Sequence, residues 1–452
     1  MTIIYFVVAL GLLVFVHEFG HFLVAKLSGI RVEKFSLGFG PKLIGFRRGE
    51  TDYRLSLLPL GGYVKLSGED PDSPEADQPN SYSHKSIFQR LGVVVAGPFM
   101  NLLLAFVFMA VVFFIGKMEP AYLDQKPVVL GVAHDSPAAS AGLEKGDEIL
   151  QINGQSYTTW RNLIDQILLH PGDSFDLVIR RGDQLLEKKV ALSTHQATGS
   201  GFLGIEPGLF IGNDPVVDEV VPEGPAAQAG LVQGDRVISV SGAPIETWTE
   251  MSEKISASEG KPIALSLKRG EMVQEKVVSA QYDKEGKRWF IGIRKDSEKT
   301  GAPQVLKKYP LGQAIKMGAL ENLKLTDITF GVLGRLVTFQ LSYKALGGPI
   351  RIAQGAAMAA ESGISYFLYF VAFLSLQLGI LNILPIPVLD GGHVVYLLAE
   401  KIIRRPVSMR VRAIADQTGM VLLILLMVLV TFNDINSVWG VSHLFEKMKS
   451  IF

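Results

Sequence analysis

Residues Val93–Ile115, VVVAGPFMNLLLAFVFMAVVFFI, run for 23 positions without a charged side chain. As a helix such a run is ~35 Å long, enough to cross the ~30 Å hydrocarbon core of a bilayer. In lipid every backbone N–H and C=O needs an internal partner, so a spanning helix is the expected structure. Three more apolar stretches qualify, giving spans at 1–26, 93–116, 364–400 and 413–432. The third is too long for one ordinary span and is broken by Pro385 and Pro387. That predicts a discontinuous helix whose irregular backbone faces protein. The first lacks a basic leader and an A-x-A-like site, so it reads as a retained span rather than a signal peptide.

Lysines and arginines set the expected orientation. Lys26, at the end of the first span, is followed in the 27–92 segment by Arg31, Lys34 and Lys42, with Lys85 and Arg90 at its other end. Lys401, Arg404, Arg405, Arg410 and Arg412 crowd the turn between the last two spans. Both loops are therefore expected in the cytosol, with both termini, the 433–452 tail and the long insert outside. Lys and Arg equal Asp and Glu at 44 each, so nucleic acid is not an expected partner. There is no cysteine. Disulfides and thiolate chemistry are excluded, and a metal must take His, Asp or Glu.

The insert repeats itself. PAASAGLEKGDEILQINGQSYTTW (137–160) aligns without a gap with PAAQAGLVQGDRVISVSGAPIETW (225–248), 88 residues on, with 11 identities in 24 positions. FLGI at 202 and FIGI at 290 keep the register. Such a period suits two copies of a small domain, 121–210 and 211–298. The pattern resembles PDZ domains of bacterial envelope proteases. That likeness implies a groove beside the FLGI and FIGI strands that adds a peptide C-terminus as an extra strand. Phe202, Gly204, Phe290 and Gly292 are the candidate groove residues, the glycines being small where a ligand backbone would approach. The 299–363 segment includes an apolar helical stretch interrupted by Lys324, Asp327 and Arg335. It is expected as an amphipathic helix lying on the outer membrane face.

The chemistry sits in the first span. HEFGH places His17 and His21 four apart on one helix face, with Glu18 beside them. Ionisable groups at membrane depth are costly and by default functional. The H-E-x-x-H pattern suits two neutral imidazoles on zinc, with the glutamate taking a proton from the attacking water. A catalytic zinc wants a third protein ligand and an open position. Asp390, eleven residues before Lys401, matches the depth of His17, nine before Lys26. An aspartate capping a helix after the proline break is the plainer alternative for it. His393 is expected in a packing or supporting role, and Asp416 in a structural one.

HEFGH, AGPFMN (96–101) and NILPIPVLDGG (382–392), in this order, resemble the site-2 protease family of intramembrane zinc metalloproteases. The resemblance covers essentially the whole chain. It implies one zinc per chain held by His17, His21 and Asp390, Glu18 as general base, and Asn382 holding the substrate strand. RLSLLPLGGYVKLSG (about 54–68) alternates apolar and polar residues around Gly61-Gly62, a hairpin signal, and the resemblance implies that it is a re-entrant β-hairpin pairing with substrate near Gly61, Gly62 and Tyr63. The expected protein is thus a multi-pass α-helical membrane protein with four spans and two extracytoplasmic α+β PDZ-like domains. It would lie in the bacterial inner membrane with its outer domains in the periplasm, and cut single-span proteins already trimmed outside. An anti-sigma factor is the implied substrate, with remnant signal peptides as further ones, and the PDZ-like domains would gate access. A membrane-anchored PDZ scaffold or chaperone with a non-catalytic metal site is the alternative. A transporter using the polar residues as an ion path is weakened by the outer peptide-binding modules.

Overall fold

The computed structural model describes residues 1–69, 73–75, 77–133, 135–194, 200–206, 215–245, 248–283, 288–295, 303–338, 347–405 and 407–439. Its helices run α1 Thr2–Leu27, α2 Ile87–Ile115, α3 Pro137–Ser140, α4 Trp160–Leu169, α5 Pro225–Gln228 and α6 Trp248–Ser256. They continue with α7 Leu311–Val337, α8 Pro349–Glu361, α9 Ile364–Ile383, α10 Asp390–Ile403 and α11 Met409–Trp439. Two compact units result. Met1–Lys117 joins Leu306–Phe452 in one, and Met118–Thr194 joins Ser200–Val305 in the other.

In the first unit α1, α2, α9 and α11 are long and apolar enough to cross a membrane. Their contacts are made close by small residues, as expected where lipid offers no hydrophobic drive between helices. A Cβ on Gly20 would strike the Ala96 carbonyl, and one on Gly379 would stand 2.8 Å from Leu102. Ala9 and Leu13 of α1 pack with Val371 of α9, and Ala105 of α2 with Leu376 and Ile380. Ser86 starts α2 with a capping box to Gln89, and Gly116, at φ 98°, ends it.

The third apolar stretch is discontinuous, as its prolines require. α9 stops at Ile383 and α10 begins at Asp390. The last helix extends beyond both ends of the 413–432 segment. Near its end, Asp434 accepts from the N–H groups of Gly348, Ile350 and Arg351 at the start of α8. Residues 440–452 of the expected tail lie outside the described set.

Two expectations change. The hairpin is not confined to about 54–68, and Gly61-Gly62 is not its turn. β1 (Val32–Arg48) and β2 (Thr51–Leu66) form the pair, joined at Gly49 and Glu50. Phe35 partners both Val64 and Tyr53, and Leu37 both Gly62 and Leu55, so each long strand bends back and the sheet is wider than a hairpin. Gly61 and Gly62 lie inside β2 because side chains there would hit Phe39 and Glu18 respectively. The helical segment after the repeats also differs from a helix lying flat. α7 packs lengthwise on α2: Ala314 meets Met109 and Phe113, Gly318 rides on Ala110, and Leu325 reaches Ala105. Thr329 and Gln377 hydrogen-bond across to α9 at 2.9 Å.

The second unit holds the two repeats. Each has a four-stranded antiparallel sheet, in the order 155–156, 148–152, 174–181, 184–191 and again 243–244, 236–240, 262–269, 272–279. Alternate residues of the third strand in each, Phe175, Leu177 and Ile179 or Ile263, Leu265 and Leu267, point into the core. The Gly-Asp turn is more than a turn. Asp147 accepts from the Glu144 N–H and from Arg181, and Arg181 also donates to the Gly142 carbonyl. Asp235, Val232, Arg269 and Gly230 repeat this bond for bond. Burial pushes both carboxyls up, but the arginine and backbone bonds outweigh it and hold them below the ordinary range.

Candidate active site

His17 and His21 are one helical turn apart on α1, and their rings lie 4.8 Å apart at 82°. His21 Nδ1 is 2.7 Å from the Val93 carbonyl oxygen of α2. A carbonyl only accepts, so Nδ1 carries the hydrogen and His21 Nε2 presents a lone pair. That nitrogen stands 3.2 Å from His17 Nε2 and 3.5 Å from Asp390 Oδ1, while His17 Nε2 is 3.1 Å from Asp390 Oδ2. Gly97 makes room for the pair, since a Cβ there would run into both imidazoles.

Asp390 reaches this point because of the proline break. Val388 adopts φ 78°, a strained value for a β-branched residue. The chain then turns back so tightly that a Cβ on Gly391 would hit the carbonyls of Ile383 and Leu384, and one on Gly392 would stand 2.6 Å from the Ile386 oxygen. Glycines are obligatory there. Asp390 does not cap α10. Leu389 is the N-cap, with no side-chain bond, and Asp390 lies in the first turn. The positive end of the helix favours its negative charge.

One donor atom from each of His17, His21 and Asp390 lies within 4.8 Å of the others. Asp390 Oδ2 is buried without a hydrogen-bond partner. The bare His21 Nε2 also faces Asp390 Oδ1, and a lone pair set against a carboxylate oxygen is repulsive unless a cation joins them. Two nitrogens and one oxygen are a fitting set for zinc, with a fourth position left for water.

The trio opens into a cavity of about 360 Å³ whose walls include Glu18, Gly62, Tyr63 and Asn382. Glu18 follows His17 and accepts from the Val64 backbone N–H, so β2 orients it. Gly62 allows that approach: its Cβ would stand 2.9 Å from Glu18 Cγ. The structure thus gathers His17, Glu18, His21, Gly62, Tyr63, Asn382 and Asp390 around one space. Gly61 sits beside it, against Phe39. His393 also lines the cavity, edge-on to Tyr396, and is outside the metal-donor group. Asp416 accepts from the Tyr396 hydroxyl at 2.9 Å.

Other wall residues escaped the sequence reading. Arg90 pairs with Glu400, and Arg412 lies 3.8 Å from the same carboxylate. Both arginines were visible only as orientation signals, since pairing across α2, α10 and α11 leaves no local pattern. Asn101, 3.1 Å from His17, was visible as a polar residue in an apolar span but carried no role.

The proposed groove residues of the repeats divide. Gly204 and Gly292 have φ of 83° and 80°, a conformation that favours glycine on its own. The space beside Gly204 is filled by Ser136, so no ligand backbone is needed to explain it. Beside Gly292 the nearest atoms are Val221 Cβ at 3.5 Å and the Gly224 Cα at 3.6 Å. The positive φ is thus reason enough for glycine at both positions. Phe202 is partly exposed. Phe290 lines a cavity of about 350 Å³ with Trp248, Met251, Ile255 and Ile293.

The description "Peptidase family M50" matches residues 5–426. The regulator of sigma-E protease RseP of Escherichia coli K12 is 37% identical over 446 residues, covering 95% of this chain and 97% of the relative. Protease RseP of Yersinia pestis is 35% identical over 455 residues, with the same two coverages. A Pasteurella multocida protein, provisionally named a zinc metalloprotease, is 33% identical over 445 residues, again covering 95% and 97%. Among solved structures, the PDZ domain of an SdrC-like protein from Listeria monocytogenes is 29% identical, covering 18% of this chain and 85% of that one, at a TM-score of 0.17. A half-buried His-His-Asp cluster in a bundle of apolar helices and a family match across nearly the whole length agree: the chain belongs to peptidase family M50, the site-2 protease family, and is a zinc metalloprotease.

Proposed function

We propose that the chain is an intramembrane endopeptidase that cuts within the transmembrane segment of single-span proteins already trimmed on their outer side. The observation that carries this is the convergence of His17, His21 and Asp390, with Glu18 beside them, on a cavity among membrane-length helices. His17, His21 and Asp390 hold one zinc per chain, which when bound supplies Lewis acidity to the scissile carbonyl and the attacking water. Glu18 takes the proton from that water and delivers it to the leaving nitrogen. A lipid-embedded helix has no free carbonyl to offer, so the substrate must unwind locally. Residues Gly61 to Tyr63 of β2 and the Asn382 amide supply replacement hydrogen bonds to the opened strand.

The relatives named for sigma-E regulation fit an anti-sigma factor as substrate, and remnant signal peptides are a second proposed class. In this reading the protein sits in the inner membrane with both termini and the repeats in the periplasm. The repeats gate access by excluding bulky outer domains or by receiving a new C-terminus, for which the cavity beside Phe290 in the second copy is the candidate groove.

The test is cleavage of a one-span reporter by the detergent-purified chain beside Glu18→Gln, with bound zinc counted in both. Equal zinc and cleavage by the unmutated chain alone is the expected result. A rate loss of roughly 10²–10⁴ is the usual scale for removing a general base. Zinc absent from both proteins would favour the scaffold reading.

A further inference from the structure

Asn101 is fully buried on α2, one turn beyond Gly97, and no step above uses its side chain. Its Nδ2 lies 3.1 Å from His17 Nδ1, and its Oδ1 is buried without a partner. An amide N–H donating to Nδ1 requires that nitrogen to be bare. Neutral His17 would then carry its hydrogen on Nε2, pointing at His21 Nε2 and Asp390. That tautomer cannot give Nε2 to a cation. Rotating the amide by half a turn exchanges oxygen and nitrogen with almost no change of shape. Oδ1 then accepts the His17 Nδ1–H, and Nε2 is released toward the cluster. His21 has the equivalent arrangement already, through the Val93 carbonyl. The Asn101 backbone is itself fixed, since the Ser375 hydroxyl of α9 donates to its carbonyl at 2.7 Å.

We infer that Asn101 is a positioning residue for the metal site: its amide oxygen accepts the His17 Nδ1–H, selecting the tautomer and fixing the ring that faces the cation. Partners of this kind orient metal-bound imidazoles and raise their basicity. The inference rests on His17, His21 and Asp390 being the ligands.

Zinc affinity of the full chain in detergent, read by competition with a chromophoric chelator, tests it. Asn101→Leu keeps the size and removes the acceptor, while Asn101→Asp keeps an acceptor at the same place. The expected result is about 10–100-fold weaker zinc binding for Asn101→Leu and near-unmutated binding for Asn101→Asp. The metal-free Tm of each variant reports folding, and Asn101→Ala substitutes for Asn101→Leu if the latter does not fold. Unmutated affinity in Asn101→Leu overturns the inference. So does an Asn101→Asp as weak as Asn101→Leu at an unchanged metal-free Tm, because a carboxylate should rescue an acceptor and not a packing contact. His17→Ala and Asp390→Ala serve as controls. If they bind zinc normally the ligand assignment itself fails, whereas if they lose it while Asn101→Leu does not, only the role of Asn101 fails.

Discussion

The Nε2 atoms of His17 and His21 stand 3.2 Å apart, with Gly97 of the neighbouring helix directly against both rings. This contact has no tolerance for a methyl group. Gly97→Ala should therefore rotate or displace the imidazoles while leaving the helix, where alanine is the better helix former, intact. The expected outcome is loss of stoichiometric zinc and of cleavage, with helical circular dichroism unchanged. Full zinc occupancy in Gly97→Ala would contradict the packing described here.

Much of this was legible before any fold was known. His17, Glu18 and His21 announced themselves because three ionisable groups in an apolar run have few innocent explanations. Asp390 followed from matched depth beside a proline break. The sheet was read wrongly, because Gly61-Gly62 has the composition of a turn and the reason for those glycines, the nearness of Phe39 and Glu18, comes from elsewhere in the fold. The lengthwise packing of α7 was hidden for a similar reason. Its charges argue against a bilayer span, yet its Ala314 and Gly318 fit α2, and nothing in the local pattern names that partner.

Gly204 and Gly292 occupy equivalent places and should respond unequally to the same change. Both have positive φ, so alanine strains either one by about 1 kcal/mol or more. Only at Gly204 does the new Cβ also meet a filled space, the side chain of Ser136. Gly204→Ala is expected to lower the Tm of the second unit more than Gly292→Ala, followed by tryptophan fluorescence of Trp160, Trp248 and Trp289. Equal shifts would mean that Ser136 moves aside without cost.

Asp147 and Asp235 give the second unit an acid limit. Burial opposes their charge, but Arg181 and Arg269 hold both carboxyls below the ordinary value near 3.8. A depressed native value means stability that is fully present above the unfolded pKa and is lost as pH falls through the native one. Fluorescence-monitored stability should thus be level near neutrality and decline below about pH 4. Asp147→Asn loses that contribution at neutral pH, at a cost of about 1–3 kcal/mol for a buried charge-assisted bond. Its stability should consequently depend less on pH in the acid range. An unchanged acid slope in a double variant of both aspartates would assign the acid limit to other groups.

Asp434 ties two distant parts of the first unit together. Its side chain is fully buried near the end of α11 and accepts from three backbone N–H groups at the start of α8, with Arg351 Nε 3.4 Å away. Those donors have no partner within α8, because the first turn of any helix leaves its N–H groups unsatisfied. A Cβ on Gly348 would crowd the same carboxylate, which explains glycine as the N-cap. Asp434→Ala removes all of these acceptors at once, whereas Asp434→Asn keeps one oxygen. Hydrogen exchange at Ile350 and Arg351 should accelerate strongly in Asp434→Ala and less in Asp434→Asn. Exchange at Phe99 to Asn101 in α2, which Asp434 does not touch, should stay as slow as before. If α8 stayed equally protected in Asp434→Ala, its packing against α1 and α9 alone would be holding it, and the carboxylate would be dispensable to the joint.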